Sequence, residues 1–306
     1  MLCLWVSQLE ADPDPLPPGG EAMLAVFSIA LVLLSAALFR RFGLAWLRGV
    51  EPDERTPEGP WSSAHLLLIV GVGVIAQVMA GSLLGLFAQA RGIALPDVRA
   101  GVVLLTNAFW QGTLVTVLLL IARNSSSGLA SLGLGRVRPK PILVGLAIYV
   151  IATPAIFGSS ALWSLALEHW GGEAPSQAVQ ELIARSRGAD IALAAGLAIV
   201  VIPFLEEVLF RGWLQGWISH RLDSTQGVLI PAFLFAVLHG TAVLVPIFSL
   251  ALVLGIVRHH TKSLVPVWAI HALHNGSQLA FLFLVADSEN QSASAWISNC
   301  LVYLVP

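Results

Sequence analysis

Charged residues are scarce in this chain. Of its 306 residues, 57% are hydrophobic and only 11% are charged, whereas soluble domains are about half apolar and about one quarter charged. This composition excludes an ordinary soluble globular protein. We therefore predict an integral membrane protein whose main solvent is the lipid bilayer. The net charge of −2 gives no indication of a nucleic-acid partner.

Long apolar runs recur along the whole chain, and a spanning helix needs about 20 predominantly apolar residues. We predict an all-α polytopic membrane protein with about eight transmembrane helices. The runs cover residues 22–39, 64–88, 101–122, 142–167, 191–210, 228–238, 242–257 and 264–285. The sixth run is short and the seventh is marginal, so these two could instead form one broken re-entrant unit, separated by Gly240 and Thr241.

Cysteine and lysine are rare. Cys3 and Cys300 lie near opposite ends of the chain, and two unpaired thiols are the simpler interpretation. If both residues lie in the outer compartment, a disulfide between them is the alternative. The only lysines are Lys140 and Lys262 among sixteen basic residues. An excess of arginine in a chain rich in Ala, Leu, Gly and Val hints at a GC-rich bacterial genome, and hence at a bacterial plasma membrane.

We expect four segments. These are an outer tail (1–21), an N-terminal membrane half (22–189), a four-helix catalytic core (190–286) and a C-terminal tail (287–306). The N-terminal half contains Gln77, Asn107 and Gln111, residue types that commonly form modest hydrogen bonds between membrane helices. After Pro175 the pattern predicts a short helix in the outer interface.

Two adjacent carboxylates, Glu206 and Glu207, interrupt the fifth apolar run. Ionisable groups at membrane depth are rare and indicate a functional site by default. Glu207 and Arg211 are spaced i, i+4 with the acid first, an arrangement that favours a structural ion pair within one helix. Because adjacent helical residues point about 100° apart, Glu206 must find its partner on another helix.

Three polar residues on later helices could supply that partner. His239 ends the sixth run, and His271 and Asn275 share one face of the eighth at spacing i, i+4; His274 points about 60° away from His271. Measured from the loops on one side, Glu206 and His239 lie about 20 Å deep, and His271 and Asn275 about 12 and 18 Å deep. We therefore expect Glu206, His239, His271 and Asn275 to converge in one layer of the membrane.

The segments Glu206-Glu207-x-x-x-Arg211, Phe235-x-x-x-His239 and His271-x-x-x-Asn275 resemble the three signature motifs of a protease family. This family comprises the CAAX prenyl proteases and bacteriocin-processing enzymes (CPBP family), and includes the Ras-converting endopeptidase. The resemblance implies an intramembrane endopeptidase that acts on a membrane-associated peptide or protein. The sequence has no His-Glu-x-x-His zinc helix, no Gly-x-Ser-Gly element and no Gly-x-Gly-Asp segment, so other intramembrane protease classes fit less well.

A glutamate protease of this kind needs an activated water and a stabilised oxyanion. We assign water activation to Glu206, because a carboxylate in an apolar cavity takes up a proton more readily. His239 would orient the water or relay its proton, and His271 with Asn275 would donate to the oxyanion. The alternative is one divalent metal, zinc for example, held by Glu206, His239 and His271 with an open water position. The resemblance is compatible with either version.

Two other functions fit the same residues. Intramembrane carboxylates and histidines also form proton relays in transporters, and a catalytically silent scaffold could keep these residues for packing. Cleavage of a peptide by the purified protein separates a protease from a transporter. Replacement of Glu206 by Gln would leave a scaffold intact. The substrate and the oligomeric state are not readable from the sequence; prenylated tails, bacteriocin leaders and other membrane-anchored peptides all fit.

The basic residues predict the orientation in the membrane, because cytoplasmic loops are enriched in Lys and Arg. With both termini outside, twelve of the sixteen fall on the inner side, Arg136 and Lys262 among them. The outer side holds Arg91, Arg99, Arg185 and Arg187. In a variant without Cys3 and Cys300, a cysteine placed at position 262 should resist a membrane-impermeant thiol reagent in intact cells and react after permeabilisation. Labelling of intact cells would contradict this topology.

Overall fold

The computed structural model describes residues 19–50, 61–135, 137–170 and 187–288. This part of the chain is 88% helical and contains no β-strand, which confirms the all-α prediction. Both cysteines, Arg136, the helix expected after Pro175 and most of the two predicted tails lie outside the described residues.

The described residues form eight main helices. Their bounds are α1 Gly20–Arg48, α2 Ser63–Arg91, α3 Ala100–Arg123, α4 Pro139–His169, α5 Ala189–Arg221, α6 Ser224–His239, α7 Thr241–Thr261 and α8 Val265–Ser288. They coincide with the eight predicted apolar runs, apart from shifts at the ends, the largest being the eleven-residue extension of α5 from Phe210 to Arg221.

The number of membrane spans differs from the predicted eight. By length and composition, six helices of the described ranges can cross a membrane: α1, α2, α3, α4, α5 and α7. The helix α6 has 16 residues and so rises about 24 Å, less than the roughly 30 Å of a bilayer core. The helix α8 has 24 residues but carries His271, His274, Asn275 and Gln278 in its middle. Eight complete spans are therefore not confirmed.

Side-chain caps mark the start of α2 and of α6. Ser62 accepts a hydrogen bond from the backbone N–H of His65, whose ring accepts one in return, and this capping box starts α2. The side chain of Asp223 accepts from the backbone N–H of Gln226 at 2.8 Å and starts α6 only three residues after α5 ends. The connection between α5 and α6 is therefore a tight turn, as the depth estimate assumed.

The helix α5 lies at the centre of the packing. One face of its middle, with Val208 and Leu209, packs on Leu114 and Val115 of α3. Its first turns pack on the start of α3 and on α8. The helices α6 and α7 pack against each other through Phe235 and small residues. By contrast, α2 exposes a row of large apolar side chains, as expected for a helix solvated by lipid.

Four loops that carry most of the basic residues lie on one side of the bundle. Arg221, at the end of α5, donates to the Ser63 hydroxyl at the start of α2. The backbone N–H of Leu264 donates to the carbonyl of Gly133, and Lys140 donates to the carbonyl of Gly49. The loops after α1, α3, α5 and α7 therefore share one face, as the charge distribution requires. Which compartment this face meets stays a prediction.

The helices α1 and α4 approach closely at Gly158. A Cβ atom at this position would lie 2.6 Å from the backbone carbonyl oxygen of Ser28. We expect Gly158→Ala to lower the midpoint of thermal unfolding in detergent, because overpacking of this kind destabilises by about 1–3 kcal/mol. Gly71→Ala is the matched control, since a Cβ there meets nothing within 4 Å. Equal midpoints for the two variants would contradict the close approach.

Candidate active site

The two glutamates lie in a short α-helical segment of α5, Ile202–Glu207, which is flanked by two π-helical turns, Leu197–Val201 and Val208–Leu214. Such turns widen a helix and are frequent at functional sites. Pro203 explains the first one, because it has no N–H to donate and its ring collides with a carbonyl one turn earlier. The two π-helical turns therefore rotate the segment that carries the carboxylates about the helix axis, relative to its position in a regular α-helix.

Asn275 of α8 compensates for this irregularity. The N–H of Ile202 donates to the carbonyl of Leu197, so the carbonyl of Ala198 loses its regular donor, and the next candidate, Pro203, has no N–H to offer. The side-chain amide of Asn275 donates to the Ala198 carbonyl at 2.9 Å. One N–H of the Asn275 amide is therefore used to stabilise α5, and the other remains for the predicted oxyanion role.

Glu207 and Arg211 form an ion pair in the interior. The Nη1 atom of Arg211 lies 3.2 Å from Oε1 of Glu207, and both side chains are inaccessible to solvent. Arg211 also donates to the carbonyl of Ala251 on α7 and lies over the ring of Phe235 at 4.4 Å. The structure thus places the guanidinium where the i, i+4 spacing predicts it.

His271 lies between the two carboxylates. Its Nδ1 atom is 2.7 Å from Oε1 of Glu207, and its Nε2 atom is 3.8 Å from Oε2 of Glu206. A carboxylate paired with Arg211 is an acceptor, so Nδ1 of His271 carries the proton and donates it. Nε2 is then the ring nitrogen that faces Glu206. The sequence analysis missed this contact between Glu207 and His271.

Glu206 is the more accessible of the two carboxylates. Its side chain retains 13% of its exposure, whereas that of Glu207 has none. Besides His271, it has a neighbour on α3, where Nε2 of Gln111 lies 3.4 Å from Oε1 of Glu206. Glu206 therefore finds its partners on other helices, and it is the carboxylate that water can reach.

His239 lies at the last residue of α6 and is exposed. Its Nδ1 atom is 2.7 Å from the carbonyl oxygen of Phe235, one turn earlier. The ring of Phe235 lies against both His239 and His271, with centroid distances of 4.4 and 5.8 Å. His239 is thus near His271 but shares no hydrogen bond with it or with Glu206 among the described residues, and its role in the site stays a prediction.

His274 turns away from the carboxylates. Its Nδ1 atom lies 3.1 Å from the hydroxyl of Tyr149 on α4, and both side chains are buried. The expected 60° rotation from His271 agrees with this placement. His274 therefore joins α8 to α4 and does not enter the pair of carboxylates.

The zinc set considered above, Glu206, His239 and His271, stays a prediction. Within the described residues, no group of three or more His, Cys, Asp or Glu side chains is arranged to hold a metal ion. Nδ1 of His271 faces Glu207 and Nδ1 of His239 faces a backbone carbonyl, which leaves Nε2 of each ring as the free nitrogen. Such partners are also common for histidines that bind a metal, so these contacts do not decide between the two versions.

Polar groups from α3, α5 and α8 thus meet inside a bundle of membrane helices, around a paired arginine and a second, accessible glutamate. Such a cluster of ionisable groups inside a membrane bundle is a candidate functional site. Residues 188–277 match the family model Rce1-like, described as type II CAAX prenyl endopeptidase Rce1-like. The match confirms the resemblance predicted from the three motifs, and it supports a CAAX-type intramembrane protease.

Glu206, His239, His271 and Asn275 all lie within the matched segment, whereas Gln111 lies outside it. No curated protein and no solved structure matches the chain.

The ion pair gives a test of stability. We expect Arg211→Leu to reduce abundance and the midpoint of thermal unfolding far more than Glu206→Gln, because removing one partner of a buried pair costs about 3–5 kcal/mol. Arg123→Leu, at the exposed end of α3, is the matched control and should change little. The double variant Arg211→Leu/Glu207→Leu should recover part of the loss. Normal melting of the Arg211→Leu single variant would rule out the structural role.

Proposed function

We propose that this protein is an endopeptidase that hydrolyses a peptide bond of a membrane-associated protein or peptide, with Glu206 as the general base. The observation that carries the proposal is the pair of atoms facing each other across the site. Oε2 of Glu206 and Nε2 of His271 are 3.8 Å apart, and Glu206 is the accessible carboxylate of the two. A water placed between these atoms can donate one hydrogen bond to each.

The hydrolysis follows from this arrangement. Glu206 takes a proton from the water as the water oxygen bonds to the carbonyl carbon of the substrate, and the carbonyl oxygen becomes the oxyanion. His271 orients the water through Nε2. When the C–N bond breaks, Glu206 returns the proton to the leaving amine. The neutral donor available for the oxyanion is the remaining N–H of Asn275. A neutral imidazole has one N–H, which His271 donates to Glu207 and His239 donates to the Phe235 carbonyl. The expected role of His271 as an oxyanion donor is therefore not part of this proposal.

The ion pair of Glu207 and Arg211 acts indirectly in this proposal. Glu207 accepts the Nδ1 proton of His271, which fixes the tautomer of the ring and leaves Nε2 as the acceptor for the water. Arg211 pairs with Glu207 at 3.2 Å, and both side chains are buried. The two residues therefore hold the histidine in the orientation that the reaction needs, and neither reaches the substrate.

The substrate class follows from the family match and from the membrane setting. A peptide that reaches this site from the bilayer must be anchored in the membrane, and the matching family model is that of CAAX prenyl endopeptidases. We propose a lipid-modified or otherwise membrane-anchored tail, with a prenylated CAAX peptide as the first candidate and a bacteriocin leader peptide as the second.

The test uses purified protein in detergent and an internally quenched peptide ending in a farnesylated CAAX sequence, beside the same peptide without the lipid. We expect cleavage of the farnesylated peptide and at least a 10²-fold lower rate for Glu206→Gln, because general-base catalysis contributes about 10²–10⁴-fold. Glu168→Gln, in the last turn of α4, is the matched control and should cleave at the normal rate.

Two further arms separate the alternatives. Treatment with a chelator should leave the rate unchanged if Glu206 activates the water directly, and a loss restored by zinc would favour the metal version. Cleavage of a leader peptide in place of the farnesylated one would move the substrate to the second candidate. Full activity of Glu206→Gln, or no cleavage of any membrane-anchored peptide by the natural sequence, would contradict the proposed function.

A further inference from the structure

Three polar side chains follow one face of α3 and end at Glu206. The indole Nε1 of Trp110 lies 2.7 Å from Oδ1 of Asn107, and Nε2 of Gln111 lies 3.2 Å from the same oxygen. Nε2 of Gln111 is also 3.4 Å from Oε1 of Glu206 on α5. The spacings i, i+3 and i, i+4 bring these side chains onto a common face of α3.

The chemistry of the groups fixes which atom of each amide faces which neighbour. An indole N–H can only donate, so the atom of Asn107 that meets Trp110 must be its oxygen. That oxygen also meets the side chain of Gln111, which must therefore present its NH₂ group. The NH₂ group has a second hydrogen, and it is directed at a carboxylate oxygen of Glu206. Each assignment follows from the one before it.

We propose that Gln111 is a positioning residue for Glu206, holding one oxygen of this carboxylate on the α3 side so that the other faces His271. The inference rests on the proposed function, because it assigns Gln111 a role in the orientation of the general base. It also places a residue of the N-terminal half in the site, outside the segment 188–277 that matches the family model.

The surroundings of Gln111 support this role. Gln111 is 4% exposed, and a buried NH₂ group without acceptors is costly; this one has Asn107 and Glu206 as acceptors, whereas Oε1 of Gln111 has no partner among the described residues. Its neighbours Ala108 and Leu114 belong to the apolar packing against α5 and α8. The 3.4 Å distance is longer than the usual 2.9–3.0 Å, and hydrogen bonds in catalytic sites commonly tighten when the substrate binds.

Near-isosteric variants test the proposal on the farnesylated peptide. Gln111→Met keeps the volume and removes the donor; we expect kcat per folded molecule to fall about tenfold or more with KM unchanged, because a misplaced catalytic group loses up to about 10²-fold. Gln111→Glu should lower kcat further, because it places a second carboxylate against that of Glu206. Gln77→Met is the matched control, because Gln77 is exposed on α2, and it should keep the normal kcat.

A second measurement needs no substrate. Thermal unfolding is compared for Gln111→Met, Glu206→Met and the double variant. If the two side chains share a hydrogen bond, each single variant loses it and the double variant loses it once. We expect the unfolding midpoint of the double variant to fall by at least about 2 °C less than the sum of the drops seen for the two single variants. The same cycle with Gln77→Met in place of Gln111→Met should be additive.

The outcomes are distinguishable. A normal kcat for Gln111→Met, with Glu206→Gln inactive, would overturn the positioning role and leave the proposed function standing. Additive melting losses for Gln111 and Glu206 would overturn the contact itself. Full activity of Glu206→Gln would overturn the proposed function, whatever the cycle shows. A reduced kcat with unchanged KM, together with non-additive melting, would support Gln111 as the residue that orients Glu206.

Discussion

A buried cation in a membrane helix must be neutralised by protein groups, because no water is present to solvate it. Arg211 imposes this constraint here. Its carboxylate partner, Glu207, also accepts from His271, and this shared oxygen joins α5 to α8. The orientation of the imidazole, the tautomer it adopts and the nitrogen it presents to Glu206 all depend on this pairing. An ion pair that serves stability therefore also arranges the chemistry of the site.

A second constraint concerns the backbone. Pro203 and the π-helical turn before it leave the carbonyl of Ala198 without its regular donor, and Asn275 fills this place. In lipid every such group needs a partner. A residue of the motif therefore helps to hold the helix that carries the carboxylates. Two polar contacts therefore join α8 to α5. His271 donates to Glu207, and Asn275 donates to the carbonyl of Ala198.

The contacts within one helix could be predicted from the sequence. The spacing of Glu207 and Arg211 predicts their contact, because helical periodicity relates residues of one helix directly. Contacts between helices, such as Gln111 with Glu206 and His271 with Glu207, could not be predicted. They depend on which helices are neighbours and on the rotation of each about its axis, and the two π-helical turns of α5 change that rotation. By contrast, the position of His239 at the end of α6 agrees with the end of the sixth apolar run. The orientation of the protein in the membrane stays a prediction.

The packing of α3 on α5 limits how the matched segment, residues 188–277, could be moved into another protein. Val208 and Leu209, the residues that follow the two glutamates, are covered by Leu114 and Val115 of α3. Cutting the chain before α5 would expose this flank and remove the neighbour of Glu206. A segment transplanted into another protein would need a third helix of matching shape and polarity. A transferable unit would therefore be larger than the matched segment and would include α3.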